Sequence, residues 1–264
     1  NGTSFSGVAG RGIPQASATW RYPFISSSGL SSVMLEPVVE FAATAGGGNI
    51  SRIPNEDSQL PEFNDSNLFA ADRFPGLDRV ESGAGVSYGL RGQAQFSDNY
   101  LDWLLGQHYR IANDSQFPFS NDPNTRLSDY VGRVGLTYQP LTFTYRFRFD
   151  KDTLTATRDE IDAVYNMYPL TLSTSYLLLR SDPILQSREV ISGGSELHLT
   201  REWSWSVNGS RDLLLGQMNT AYTGLTFKNE CISVTTLVGK DYTNLLDIKP
   251  SFTFWFRVAL KNLE

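Results

Sequence analysis

Leu141-Thr142-Phe143-Thr144-Tyr145-Arg146-Phe147-Arg148-Phe149-Asp150 alternates at every step. Leu141, Phe143, Tyr145, Phe147 and Phe149 fall on one side, and Thr142, Thr144, Arg146, Arg148 and Asp150 on the other. Successive side chains of a strand point to opposite faces, so this stretch predicts a strand with one apolar and one charged wall. The last segment repeats the pattern: Phe252, Phe254, Phe256, Val258 and Leu260 oppose Ser251, Thr253, Trp255, Arg257 and Ala259. Trp203, Trp205 and Val207 likewise oppose Ser204, Ser206, Asn208 and Ser210, and Tyr130, Val134, Leu136 and Tyr138 oppose Val131, Arg133 and Thr137. A soluble β-sandwich alternates too. Two features favour lipid instead. Aromatics crowd the apolar walls near strand ends, as in the girdles of membrane barrels. The segments also approach the roughly 9–11 residues a tilted strand needs to cross hydrocarbon, against about 5–6 in soluble sheets. In lipid only a closed barrel pairs every backbone group of such strands.

Composition removes other classes. The 264 residues carry 22 basic and 28 acidic side chains, a formal charge of −6, which argues against the basic stripe of a nucleic-acid binder. With 40% hydrophobic and 12% aromatic residues the chain is not a disordered one. No apolar run approaches the roughly 20 residues of a membrane helix. A single cysteine excludes a self-contained disulfide scaffold and a clustered-thiol metal site. The opening Asn1-Gly2-Thr3 has neither Met nor a leader, so a mature or internal fragment is expected.

Alternation and turn signals give about 13 strands: near 15–24, 31–43, 82–96, 99–112, 127–138, 141–150, 157–167, 170–180, 188–200, 203–212, 219–228, 231–240 and 248–260. Tight turns fall at Ser26–Gly29, Ser97–Asn99, Gln139-Pro140, Tyr168-Pro169, Arg201-Glu202 and Lys228–Glu230. They alternate with longer polar connections at 44–81, 113–126, 151–156, 181–187, 213–218 and 241–247. Outer-membrane barrels have short periplasmic turns and longer outside loops, which places the C-terminus in the periplasm. An odd number of antiparallel strands does not close a single-chain barrel in the usual way, so residues 1–264 are expected to be part of a larger one.

Several stretches carry a family resemblance. Ile53-Pro54-Asn55-Glu56-Asp57-Ser58 is followed by Asn67-Leu68-Phe69 and by Asp72-Arg73-Phe74-Pro75-Gly76-Leu77-Asp78-Arg79-Val80-Glu81. Trp20-Arg21-Tyr22-Pro23-Phe24 and Leu35-Glu36-Pro37-Val38-Val39 lie upstream. Gly89-Leu90-Arg91, Gly106-Gln107-His108-Tyr109-Arg110 and the ending Arg257-Val258-Ala259-Leu260-Lys261-Asn262-Leu263 lie downstream. From about residue 17 onward the chain resembles the C-terminal barrel region of the LPS-assembly family LptD, also called organic solvent tolerance protein OstA, in its alphaproteobacterial style. The resemblance implies an all-β transmembrane antiparallel barrel of ~26 strands, of which this chain holds about half. It also implies a preceding periplasmic jelly-roll domain, absent here. The family takes lipopolysaccharide from a periplasmic LptA/LptC-type bridge and inserts it into the outer leaflet of the Gram-negative outer membrane, with an LptE-like lipoprotein plugging the lumen. No enzymatic activity and no cofactor are implied.

Cys231 follows the tight turn Lys228–Glu230, at the periplasmic end by turn parity. An odd cysteine in that oxidising compartment points to a partner elsewhere, and the resemblance implies a bridge to the periplasmic domain. A buried free thiol is the other reading. Phe252, Phe254, Phe256, Val258 and Leu260 belong, by the resemblance, to the seam strand that pairs with the first barrel strand and opens sideways; an ordinary closing strand is the alternative. Loop 44–81 is long enough to argue function, and its aromatics and prolines favour an ordered loop, folded outside or into the lumen. Its carboxylates are candidates for divalent cations associated with lipopolysaccharide, or simply for a solvated acidic loop. Arg146, Arg148, Glu196, His198 and Arg257 read as lumen-facing, the arginines meeting sugar-phosphates or neighbouring carboxylates such as Asp150 and Glu196. A general diffusion porin and a barrel hydrolase built on His108 or His198 are the rival functions. The hydrolase is disfavoured because both histidines face the lumen, where polar lining accounts for them.

Overall fold

The alternating stretches become strands in the computed structural model, which describes residues 10–46, 49, 53–58, 62–112, 125–180, 187–242 and 249–260. The strands are β1 (Gln15–Arg21), β2 (Phe24–Ser28), β3 (Ser31–Thr44), β4 (Gly83–Phe96), β5 (Asn99–Arg110), β6 (Tyr130–Tyr138), β7 (Leu141–Phe149), β8 (Ala156–Met167), β9 (Leu170–Leu179), β10 (Arg188–His198), β11 (Trp203–Asp212), β12 (Gln217–Lys228), β13 (Ile232–Asp241) and β14 (Ser251–Leu260). The described residues contain no helix. The longer connections expected at 113–126, 181–187 and 241–247 lie mostly outside the described residues.

The strands form one antiparallel sheet in chain order, β1-β3-β4 and onward to β14, with β2 beside β3. Fourteen strands therefore occupy thirteen places. β1 pairs with Val38–Thr44 and β2 with Ser31–Leu35, two pieces of a single neighbour to β3. The break falls at Tyr22-Pro23: proline has no N–H to give the ladder, and only the Tyr22 amide reaches across, to the Pro37 carbonyl at 3.3 Å. The sequence reading gives one strand at 15–24 and a turn at Ser26–Gly29; residues Phe24–Ser28 instead form a second strand, and the turn lies at Gly29-Leu30, Gly29 taking φ +58°. The sheet is not closed, with β1 and β14 at its ends, as a part of a barrel requires. Short turns also link β4 to β5, β6 to β7, β8 to β9, β10 to β11 and β12 to β13, and the longer connections lie between them.

Two compact units divide the chain. The first comprises the described parts of 1–97, 102–134 and 146–156; the second, those of 98–101, 135–145 and 157–264. Both are inside out. In the first, Trp20, Val33, Leu35, Phe41, Leu105 and Tyr109 are exposed while Glu40, His108, Arg110 and Arg148 are buried. In the second, Leu172, Ile191, Trp203, Trp205, Val207 and Leu225 are exposed on one face, and Phe252 and Phe254 remain 72% and 66% exposed on β14. Cross-strand register carries this through: Trp203↔Phe227↔Val234↔Val258 share the apolar face, and Ser204↔Thr226↔Thr235↔Arg257 the polar one. A water-soluble protein rarely exposes so large a contiguous apolar surface.

Candidate functional site

The most heavily bonded part of the first unit is the loop between β3 and β4, where the two halves of the sequence motif close on each other. Asn55 Oδ1 accepts from the Ser58 amide at 3.0 Å and its Nδ2 donates to the Ser58 carbonyl, so Asn55–Ser58 forms a tight turn. Asp57 then accepts from the amides of Leu77 (2.8 Å) and Asp78 (2.9 Å), while Asp78 Oδ2 accepts from those of Glu56 (2.7 Å) and Asp57 (3.0 Å). Gly76 holds φ +81°, and a Cβ there would stand 2.5 Å from Asp57 Cγ. Ser58 Oγ accepts from Asp78 and Arg79. These donors, led by the Leu77 amide, hold the Asp57 carboxyl down to about 2 despite slight desolvation. Ile53 and Pro54 lead into this turn.

The following segment lies on the polar face of the sheet. Phe63 and Leu68 are wholly buried with Val131, and Phe69 and Phe74 pack against them. Glycines make the room: a Cβ on Gly89 would meet Phe69 at 3.1 Å, and one on Gly106 would meet Leu68 at 2.6 Å. Arg73 fixes the loop. Its Nε donates to the Asn67 carbonyl, Nη1 to both Glu81 oxygens at 2.9 Å, and Nη2 to the Leu68 carbonyl and Ser87 Oγ at 3.0 Å. Burial pushes the Glu81 carboxyl above its ordinary value, and Arg73 pulls against that shift. Arg148 meets Asp129 at 3.3 Å and Glu62 at 3.7 Å, Arg133 meets Asp102 at 2.5 Å, and Arg91 lies over the Phe69 ring.

The arginines thus meet carboxylates, though not the two that the sequence reading names as examples, Asp150 and Glu196. Asp150 serves its own turn, accepting from the amides of Asp152 and Thr153, which lowers its carboxyl. Arg146 is half-buried on the face of Arg148. Glu196 makes no ion pair among the described residues.

His108 is brought to a serine that periodicity did not single out. Ser87 Oγ lies 2.9 Å from His108 Nδ1, and Arg73 Nη2 lies 3.2 Å from the same nitrogen. A serine nucleophile needs the histidine free to take its proton and a third group orienting the other ring nitrogen. Here a guanidinium crowds the accepting nitrogen and the loop covers both side chains, so the pair serves as a structural node. The His198 ring stacks on Tyr168 at 5.7 Å and bonds to neither Ser192 nor Glu196 among the described residues.

The second unit carries a different polar region. Glu196, His198, Arg201, Lys228, Trp255 and Arg257 border a concavity of about 620 Å³ on the polar face of β10 to β14. No charged end of these side chains meets an opposite charge among the described residues. Cys231 is a free, exposed thiol in the turn before β13, one residue ahead of the strand rather than within it. Among the described residues no group of three or more His, Cys, Asp or Glu side chains is arranged to hold a metal. No curated protein sequence matches the chain. The family model described as LptD, LPS transport system D, matches residues 1–208.

Proposed function

Because this chain belongs to the LptD family of LPS transport system D, we propose that it forms the C-terminal part of an outer-membrane barrel that inserts lipopolysaccharide into the outer leaflet. The observation that carries this reading is the inside-out surface, whose exposed apolar face suits acyl chains and whose polar face suits a lumen. β14 supports a lateral seam. It ends the sheet with Phe252, Phe254, Phe256, Val258 and Leu260 on the apolar face, and its outer edge needs a partner strand in lipid. A junction with few ladder bonds opens cheaply, since each net bond contributes about 0.5–1.5 kcal/mol.

Leu260 lies opposite Ile232, beside the short turn at Cys231, which supports a periplasmic C-terminus. There Cys231 pairs with a cysteine of the preceding periplasmic domain, which receives lipopolysaccharide from an LptA/LptC-type bridge. An LptE-like lipoprotein occupies the lumen, and divalent cations enter with the lipopolysaccharide. The protein moves lipid and transforms nothing.

Depletion in the parent bacterium is the test: lipopolysaccharide is expected to accumulate in the inner membrane, and normal surface display overturns the reading. Low conductance of the purified barrel separates it from a diffusion porin. Unchanged lipase and protease assays in His108→Ala and His198→Ala separate it from a hydrolase.

A further inference from the structure

On the apolar face of the second unit, strands β7 to β11 carry a groove of ≈ 510 Å³. Two cross-strand rows shape it. Tyr165↔Leu172↔Ser195↔Val207 forms one side, and Ala163↔Thr174↔Gly193 the low floor beside it, with Leu141 at the end nearest β7. Glycine inside a strand weakens it and often marks a place that a ligand or another chain approaches closely. The fold itself does not demand a glycine at 193: a Cβ there would meet nothing nearer than the Ser173 carbonyl oxygen, at 3.9 Å. At Gly239 the reverse holds, since a Cβ would strike the Tyr222 ring at 2.0 Å. The polar tips around the groove are turned to partners within the chain. Thr174 Oγ1 donates to the Ser192 carbonyl at 3.1 Å, and the Tyr165 phenol to Met167 Sδ at 3.2 Å. What these two side chains leave to the groove is carbon.

The turns set the course of the groove. Leu141 stands one residue past Pro140, Leu172 three past Pro169 and Val207 five past Glu202, so a line straight across the strands leaves the short-turn rim at β7 and is deep in the wall by β11. Four strand spacings make that line about 19 Å long, and at a strand tilt of roughly 35–45° it climbs about 11–13 Å. The apolar band of an outer-membrane barrel is about 25 Å tall, so the climb is that of one leaflet. Tyr138 and Tyr168, 60% and 70% exposed, stand at the rim, the level that amphipathic rings take beside headgroups. We propose that the groove holds one acyl chain of a phospholipid from the short-turn leaflet. Its headgroup lies at the rim beside Tyr138 and Tyr168, and its chain runs over Thr174 and Gly193 to Val207. The groove is continuous with the lipid-facing surface, and its volume falls in the range of small-ligand clefts. Methylenes settled in it touch protein on more sides than a flat wall offers, so this lipid outlasts its neighbours. The inference rests on the reading of this face as lipid-facing.

The full-length protein in vesicles of phosphatidylethanolamine, a fraction of it carrying a photoreactive diazirine on the acyl chain, tests the proposal. After irradiation the labelled peptides are mapped by mass spectrometry, and native mass spectrometry of the detergent-extracted protein counts the phospholipid retained. Labelling is expected to concentrate on 163–174 and 193–207, with one phosphatidylethanolamine staying bound. Gly193→Leu fills a place where the backbone leaves room and is expected to cut both signals about tenfold, with heat-modifiable gel mobility unchanged. Thr174→Leu fills the groove from β9 and should do the same. Ile191→Leu, on the same face two residues away, should leave both signals as they are. Even labelling around the apolar face, or wild-type retention in both filled variants, overturns the groove and leaves the membrane and transport readings standing. Loss of a co-purifying protein in place of lipid from Gly193→Leu overturns it too and gives the groove to a membrane helix. Absence of labelling anywhere on this face removes the lipid-facing reading itself.

Discussion

The polar face over β3 to β7 and the polar face over β10 to β14 start from similar residues and end differently. Over β3 to β7, Arg73, Arg133 and Arg148 each meet a carboxylate, and the 62–81 loop covers the strands with an apolar cluster of its own. Over β10 to β14, Arg201, Lys228 and Arg257 have no such partner among the described residues and the concavity is open. The pairs of Arg73 and Arg148 are buried and stay, because removing either member strands the other in low dielectric. Unpaired cations on a wet wall remain available to an incoming anion. The first region is therefore a fixed wall locked under its loop, and the second an open one. Charge counts alone would not separate them; the presence of a covering loop does.

Removing Arg73 is the largest blow to this contrast. Arg73→Ala strands Glu81 and frees Ser87 and His108, at an expected cost of about 3–5 kcal/mol. Protease cleavage within 62–81 should appear in the folded barrel. Glu81→Gln added to Arg73→Ala should recover part of the loss, since the two residues share one interaction. Continued protection of the loop in Arg73→Ala would dissolve the distinction between the two walls.

Both regions are compared as polar faces of one kind of sheet, and neighbouring positions on β11 check that premise. Val207→Arg sets a charge on the apolar face and is expected to cost about 2–4 kcal/mol near the bilayer midplane. Asn208→Arg, one residue on, faces the polar side and should cost little. Urea titration of the refolded barrel in lipid reads both. Equal costs would mean the two faces are not lipid and water.

Strand positions were legible because period 2 survives any tertiary context that keeps one face greasy. The thirteen places follow from it, and the extra break does not: Phe24–Ser28 is short and hydroxyl-rich, so its pairing with Ser31–Leu35 left little periodic signal. Inward arginines were equally legible, whereas their partners were not. Arg148 meets Glu62 and Asp129 rather than Asp150, since alternation reports a face and says nothing of which loop folds over it. Ser87 and His108 lie 21 positions apart on adjacent strands, a register no periodicity specifies. The Asn55–Ser58 motif stood out by resemblance, and its chemical reason, a turn locked to Leu77 and Asp78, needed the fold.

Gly85→Ala probes the locked wall more gently. A Cβ at Gly85 would come within 2.4–2.5 Å of the His108 ring, so the ring must shift and its contacts with Ser87 and Arg73 are disturbed. Overpacking of this sort costs about 1–3 kcal/mol. Its expected signature is faster amide exchange at Leu68 to Arg73 with the strands unchanged. Loss confined to β4 and β5 would show that the glycine serves the sheet and not the loop.

Acid gives the smallest and most local effect. The Asp57 carboxyl is held at about 2 in the folded loop, below the ordinary 3.8, because the amides of Leu77 and Asp78 favour its ionised form. A depressed carboxyl contributes stability that is complete above its unfolded value and fades as pH falls toward the folded one. The contribution should therefore be intact at pH 5 and decline between about pH 4 and 2. Pepsin, active in that window, is expected to reach the Glu56–Arg79 turn increasingly as pH drops. Asp57→Asn keeps the shape but cannot ionise, so its cleavage should be raised at the upper end of the window and lose this part of the pH dependence. Arg201, Lys228 and Arg257 make no ion pair among the described residues, so the wall of β10 to β14 has no lock of this kind. A transition of equal size in both regions would mean that acid loosens the whole sheet, and that the loop has no separate lock.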